Sequence, residues 1–209
     1  MNTVNSVHSQ ILKELAQIEP GKPFFPADFK GMGTEAAIKV ALGRLEKQGK
    51  LSRLTRGIYV VPEVHSTLGA IPPSLEEIAA AIAERDKARI RPAGAFALNK
   101  LGLSTQVPMK LVYITDGAPR TINIGKRTIK FKPGSPRNFA YKGVISGLVV
   151  QAFKELGQKK VTDEMITKVK KILAKEKQDI IKHDAKLAPH WIANLFYAVI
   201  KEMSDDSMA

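Results

Sequence analysis

The chain has 209 residues, 44% of them hydrophobic and 25% charged, enough apolar material for one large domain or two small ones. Its net charge of +13 and pI near 9.9 point to a polyanionic partner. The absence of cysteine excludes disulfides and thiolate chemistry, and neither a signal-like leader nor a bilayer-length apolar run is present, so a cytoplasmic protein with no membrane partner is expected.

Ser6 to Ile18 carries Val7, Ile11, Leu12, Leu15 and Ile18 at helical spacing. Glu19-Pro20-Gly21-Lys22-Pro23 breaks that helix, which is expected to pack under the elements that follow.

Phe24 to Pro62 organises the rest of the reading. It predicts a short helix, a Gly-rich turn, a second helix and a tight β-ribbon. Thr34 suits the N-cap of the second helix, and Glu35 suits its first turn, where a carboxylate complements the dipole. Ile38, Ala41, Leu42 and Leu45 make one apolar stripe; Ala36, Lys39, Val40, Gly43, Arg44 and Lys47 lie opposite. Gly49 is a natural residue just past the helix end. Two β-rich runs, Leu51–Leu54 and Ile58–Val61, flank a Thr55-Arg56-Gly57 turn and read as a hairpin stopped by Pro62. That order is the winged form of the helix-turn-helix, whose second helix fits the DNA major groove. Lys50, Arg53 and Arg56 then fall on or near the wing. The plain alternative is a helix and hairpin with a solvated basic face.

Glu63 to Pro73 is the expected seam between a domain of residues 1–65 and a domain of residues 66–209. Residues 1–65 carry a net charge of +3 and the remainder +10, so most of the excess lies outside the DNA-reading module. Ser74-Leu75-Glu76-Glu77 is a capping box opening a helix to about Lys87. Pro92 to Leu103 reads as an Ala-rich helix closed near Gly102. Lys110–Thr115 is a strand, and Asp116-Gly117 a turn. In Ala118–Lys132, Gly125-Lys126 suits a Gly-first two-residue turn, which puts Ile122, Ile124, Ile129 and Phe131 on one face and Thr121, Asn123, Thr128, Lys130 and Lys132 on the other. Arg120, Lys126, Arg127, Lys130, Lys132, Arg137 and Lys142 share the stretch 117–142 with no acid, which favours a phosphate-tracking ribbon over a solvated one. Three helices are expected to finish the chain: Val144–Leu156, one after Thr162, and one from Pro189 with Trp191 as a core anchor, before a frayed tail from Ser204.

Catalytic motifs are missing. There is no phosphate loop, no G-x-S-x-G (Gly143-Val144-Ile145-Ser146-Gly147 misses it by one place), no H-E-x-x-H and no kinase signature set. Neither a cofactor nor a metal is implied. Asp116 is the one acid at a strand end where a catalytic carboxylate could sit, and a plain turn explains it better.

The chain resembles the AbiEi-type antitoxins of bacterial type IV toxin–antitoxin (abortive-infection) loci over nearly its whole length. The resemblance rests on GTEAAIKVALGRLEKQGKLSRLTRGIYVVP, on RPAGAFALNKLGLSTQVPMKLVYITDG, the more specific block, and on TINIGKRTIKFK. It implies an N-terminal winged helix on a larger antitoxin domain and repression of the protein's own operon through inverted repeats. It also implies a co-encoded nucleotidyltransferase-like toxin, opposed without a stable complex. Some relatives are described as kinases acting on the toxin, and this chain shows no kinase motif. The family's recognition-helix motif maps to Thr34, Lys39, Arg44 and Lys47, and its wing to Arg53 and Arg56.

The expected fold is therefore α+β: a winged helix-turn-helix packed on a larger mixed α/β domain with a basic β-hairpin and a helical C-terminal end. The expected function is a double-stranded DNA repressor and antitoxin. Thr34, Glu35, Ala36 and Lys39 would face base edges. Arg44, Lys47, Lys50, Arg53 and Arg56 would hold phosphates, and Arg120, Lys126, Arg127, Lys130 and Lys132 would extend the footprint. Two other readings stand beside it: an enzyme using Asp116 on the toxin or a nucleotide, and an RNA-binding module.

Overall fold

The fold, seen in a computed structural model that describes residues 6–65, 67 and 69–206, is α+β, with helices and several small sheets. The chain divides into two compact units, residues 1–85 with 123–126, and residues 86–122 with 127–209.

In the first unit Ser6 caps α1 (Val7–Leu15) by accepting a hydrogen bond from the Ser9 amide at 3.2 Å. The helix ends three residues before the expected Ile18. The predicted short helix is a single 3-10 turn, Pro26–Phe29, with Asp28 accepting from the Phe25 amide at 2.8 Å. Pro26 suits the first position of the turn, and Gly31 and Gly33 follow closely after it. The main helix, α2, runs Glu35–Lys47 and buries Ile38, Ala41, Leu42 and Leu45, the stripe its spacing predicts. β1 (Pro23–Phe24), β2 (Ser52–Thr55) and β3 (Ile58–Val60) form an antiparallel sheet in the order β1-β3-β2. β1 is a third strand that two residues could not announce. Phe24 joins the layers: its ring meets Phe29 edge-on at 5.7 Å and stacks on Tyr59 at 6.0 Å. Around these rings Ile11, Leu15, Leu42, Leu45 and Leu51 close one core. β4 (Glu63–His65) and β5 (Gly69–Ile71) pair as a ribbon. α3 (Leu75–Arg85) opens with the predicted capping box: Ser74 Oγ accepts from the Glu77 amide at 3.1 Å, and Glu77 accepts from the Ser74 amide at 2.7 Å. Those bonds from Ser74 hold the Glu77 carboxyl below its ordinary value.

The second unit is built on a four-stranded sheet, β6-β7-β9-β8. β6 is Ile90–Ala93, β7 Lys110–Thr115, β8 Arg120–Ile124, whose last two residues are grouped with the first unit, and β9 Arg127–Pro133. β7 pairs antiparallel with β6 and parallel with β9, Leu111 opposite Ile129 and Tyr113 opposite Phe131. Pro92, expected in a helix, is therefore in a strand, and α4 is shorter, Gly94–Lys100. Its end is as predicted, at Gly102 (φ +64°), with Gly102 and Leu103 amides donating back to Asn99 and Leu98. After a short turn of helix, α5 (Pro136–Phe139), come α6 (Val144–Leu156), α7 (Asp163–Leu173), α8 (Gln178–Ala185) and α9 (His190–Asp206). The count of three is corrected to four after α5 among the described residues: α8 is only eight residues long, and its buried face, Ile181, Asp184 and Ala185, includes an acid. Residues 204–206 continue α9 rather than fray, and the rest of the expected tail, 207–209, lies outside the described residues. Trp191 stacks on Phe153 at 5.9 Å, against a core of Val149, Phe153, Val169, Leu173, Ile192 and Phe196.

One buried acid ties this unit together. Asp184 of α8 is fully buried. It accepts hydrogen bonds from the Lys142 amide (2.9 Å), the Gly143 amide (2.8 Å) and Ser146 Oγ (2.6 Å), and pairs with His183 Nδ1 at 2.7 Å. Burial opposes its charge, but the Ser146, His183, Lys142 and Gly143 bonds outweigh that and hold the carboxyl below its ordinary value. Glu176 completes the cap of α6 by accepting from the Ile145 amide at 2.6 Å and the Ser146 amide at 3.1 Å.

Candidate nucleic-acid interface

The α2 surface is set by its two ends. Thr34 Oγ1 accepts from the Ala37 amide at 3.2 Å, so the helix starts where the sequence places it. At the other end Gly49 (φ +68°) and Lys50 donate to the Glu46 and Leu45 carbonyls, the paired bonds of a Schellman stop. Because only the Ile38-Ala41-Leu42-Leu45 stripe is buried, Thr34, Glu35, Ala36, Lys39, Val40, Arg44 and Lys47 are all exposed. Lys39 Nζ bonds Glu35 Oε1 at 2.5 Å one turn away, and Lys39 thereby holds the Glu35 carboxyl below its ordinary value. Such an exposed pair is worth little and yields readily to a phosphate or a base.

Gly43 is the unusual residue of this face. A glycine in a helix interior weakens it, and nothing lies within 4 Å of where a Cβ would stand, so no packing demand explains it. Val40, Gly43, Arg44, Glu46 and Lys47 line a shallow depression there, with Val40 54% exposed.

Directly after the Schellman stop, Lys50, Arg53 and Arg56 are exposed. Arg53 lies opposite Tyr59 across the ladder, its guanidinium 5.9 Å from the ring centroid, beside a bulge between Arg53 and Thr55. Arg56 sits in the turn, ahead of Gly57 at φ +78°. Helix and hairpin share one core through Leu45, Leu51 and Tyr59, so their exposed cations are carried on a single packed scaffold.

The β8–β9 ribbon turns at Gly125-Lys126, with Gly125 at φ +57° and Lys126 at negative φ, as a Gly-first turn requires. Ile129 and Phe131 are buried, with Ile122 and Ile124 half-buried on the same face. Lys126, Arg127 and Lys132 are exposed and Lys130 half-buried. Arg120 differs from its sequence reading: it is half-buried, ion-paired to Asp86 and 5.6 Å from the Phe131 ring centroid. Its charge is committed within the second unit. The Asp86 partner lies 34 residues away, out of reach of any local motif.

Asp116, the acid at the end of β7, accepts from the Arg89 amide at 2.6 Å and from Arg89 Nε at 2.7 Å. Those bonds from Arg89 hold its carboxyl below its ordinary value. Both oxygens thus fasten the turn to the residue before β6. Sequence reasoning did not single out Arg89, Arg91, Glu176 or Asp184, because each acts on a partner distant along the chain.

Comparison with known proteins matches the chain to a family and to solved structures. The model of a family described as a family of unknown function (DUF6088) matches residues 10–181. Among solved structures, the crystal structure of the RV2827C protein from Mycobacterium tuberculosis superposes with a TM-score of 0.45 at 14% identity, over 93% of this chain and 80% of that one. No curated protein matches the chain.

Proposed function

We propose that this chain, which belongs to the DUF6088 family of unknown function, is a sequence-specific double-stranded DNA-binding protein that uses its first unit as a winged helix-turn-helix. The observation that carries the reading is the outer face of α2. It joins exposed Lys39, Arg44 and Lys47 to a mid-helix Gly43 for which the fold has no use. A helix that must lie with its backbone against a duplex has a use for that glycine. Thr34, Glu35, Ala36 and Lys39, at the N-terminal end of α2, are the base-reading candidates, since such helices read bases from that end. Arg44, Lys47, Lys50, Arg53 and Arg56 are the phosphate-holding candidates. Lys126, Arg127, Lys130 and Lys132 supply a second basic strip, to which Arg120 adds no free charge.

The resemblance to AbiEi-type antitoxins extends the proposal: the DNA is the promoter of the protein's own operon, bound at inverted repeats in the cytoplasm. The protein also opposes a co-encoded nucleotidyltransferase-like toxin without a stable complex. Two arms test this together. Footprinting of the upstream region is expected to show protection of paired repeats. Co-expression with the adjacent open reading frame is expected to restore growth that the neighbour alone arrests. Protection without any repeat preference contradicts the repressor role, and failure to restore growth contradicts the antitoxin role.

A further inference from the structure

A cleft of about 600 Å³ opens in the second unit beside β6, the end of α5 and the first turns of α6. It lies within the size range of small-molecule sites. Phe139, Val144 and Leu148 give it apolar walls, and the charged side chains lining it are Arg89, Arg91 and Lys100, with no acid among them.

Both arginines are held in place. Arg91 Nη2 donates to the Tyr141 carbonyl at 2.5 Å and Nη1 to the Gly143 carbonyl at 3.5 Å. Gly147 makes room for it on α6: a Cβ there would stand 2.5 Å from Arg91 Nη1. Main-chain carbonyls orient a guanidinium without cancelling its charge. The carboxylates of Asp184 and Glu176 attract it from a distance, but their hydrogen bonds go to other donors. Arg89, two residues earlier, is fixed by Asp116 and lies 4.9 Å from the Phe139 ring centroid. Arg89, just before β6, and Arg91, within it, both line the cleft. Burial lowers the Arg91 pKa, Asp184 pulls it back up and Arg89 adds repulsion, so an anion beside Arg91 would offset the burial of its charge. Val144, the first residue of α6, is 78% exposed at the rim. The lining side chains carry no hydrogen-bond acceptor, which disfavours a sugar or another ligand rich in donors.

We propose that this cleft binds a small organic anion: a compact apolar body against Phe139, Val144 and Leu148, with a single carboxylate or phosphate between Arg89 and Arg91. The site is independent of the DNA-binding reading.

Calorimetric titration of the full chain with 1-naphthoate, 1-naphthyl phosphate and the neutral 1-naphthylmethanol tests it. At least one anion is expected to bind saturably at one site, and the better one identifies the headgroup. The alcohol should bind about tenfold more weakly or worse, having lost its charge-assisted bonds. Val144→Glu, at an exposed position that folding tolerates, should weaken the anion by about tenfold through like-charge repulsion, while Val144→Gln should retain it. No saturable binding of either anion up to about 10 mM, alcohol binding equal to that of the anions, or an unaffected Val144→Glu would each overturn the proposal.

Discussion

Gly43 separates two demands that most residues of α2 satisfy together. Stability asks for alanine there, because a helix-interior glycine costs about 0.5–1 kcal/mol and a methyl group would meet nothing. Close approach to a duplex asks for glycine. Gly43→Ala is therefore expected to raise unfolding free energy by about 0.5–1 kcal/mol while weakening duplex binding several-fold. Chemical denaturation and a DNA titration on the same preparation check both. Gain of stability with unchanged affinity would remove the reason offered for the glycine. Thr34, Gly49 and Gly125 were legible in the sequence because cap and turn chemistry acts over a few residues. Lys87 was not: it takes φ +52° just past α3, a conformation glycine usually fills, and no glycine stands there to signal it.

At the scale of elements, the second unit hangs on a polar clamp rather than on periodicity. Asp184 gathers the loop before α6, Ser146 within it and the end of α8 onto one buried carboxylate. Its folded pKa lies below the ordinary value of 3.8, so the native state binds fewer protons than the unfolded one. The stability it contributes is present at neutral pH and is lost as pH falls through the folded value. Asp184→Asn keeps the shape but presents an amide to donors, and should cost about 2–4 kcal/mol at neutral pH. Its acid-induced loss of stability should also be shallower than wild type. Urea unfolding at neutral pH and at steps from about pH 5 to pH 3 checks this; an unchanged pH dependence would place the acid sensitivity elsewhere. Glu35, Glu77 and Asp116, all shifted down, keep their own part of it. The strongly periodic helices α2, α7 and α9 could be read from sequence. The parallel β7–β9 pairing could not, since it depends on contacts distant along the chain, and nor could α8, a short helix whose buried face includes Asp184.

For the whole molecule, a net charge of +13 is shared between two units that use it differently. Some cations of the second unit are paired within it: Arg120 with Asp86, and Lys170 with Glu202 at 2.5 Å. In the first, Lys50 and Arg56 are exposed, and Lys39 is engaged in an exposed pair of little strength. Counting charge along the sequence put most of the excess in residues 66–209, outside the winged-helix stretch, and so pointed to a partner surface larger than one module. Pairing leaves that net excess unchanged; what the geometry adds is that the exposed cations of α2 and its hairpin stand on one packed scaffold.

The α2 helix and its hairpin are proposed to hold duplex DNA through phosphates, Arg56 among the residues that hold them. The measurement that bears on this most directly is the salt dependence of binding to the promoter duplex, for the wild type and for Arg56→Ala. The wild type should lose affinity linearly on a log–log plot, and Arg56→Ala should bind all duplexes more weakly with a slope lower by about one unit. A slope identical in the two proteins, or a duplex affinity that ignores salt, would contradict the account.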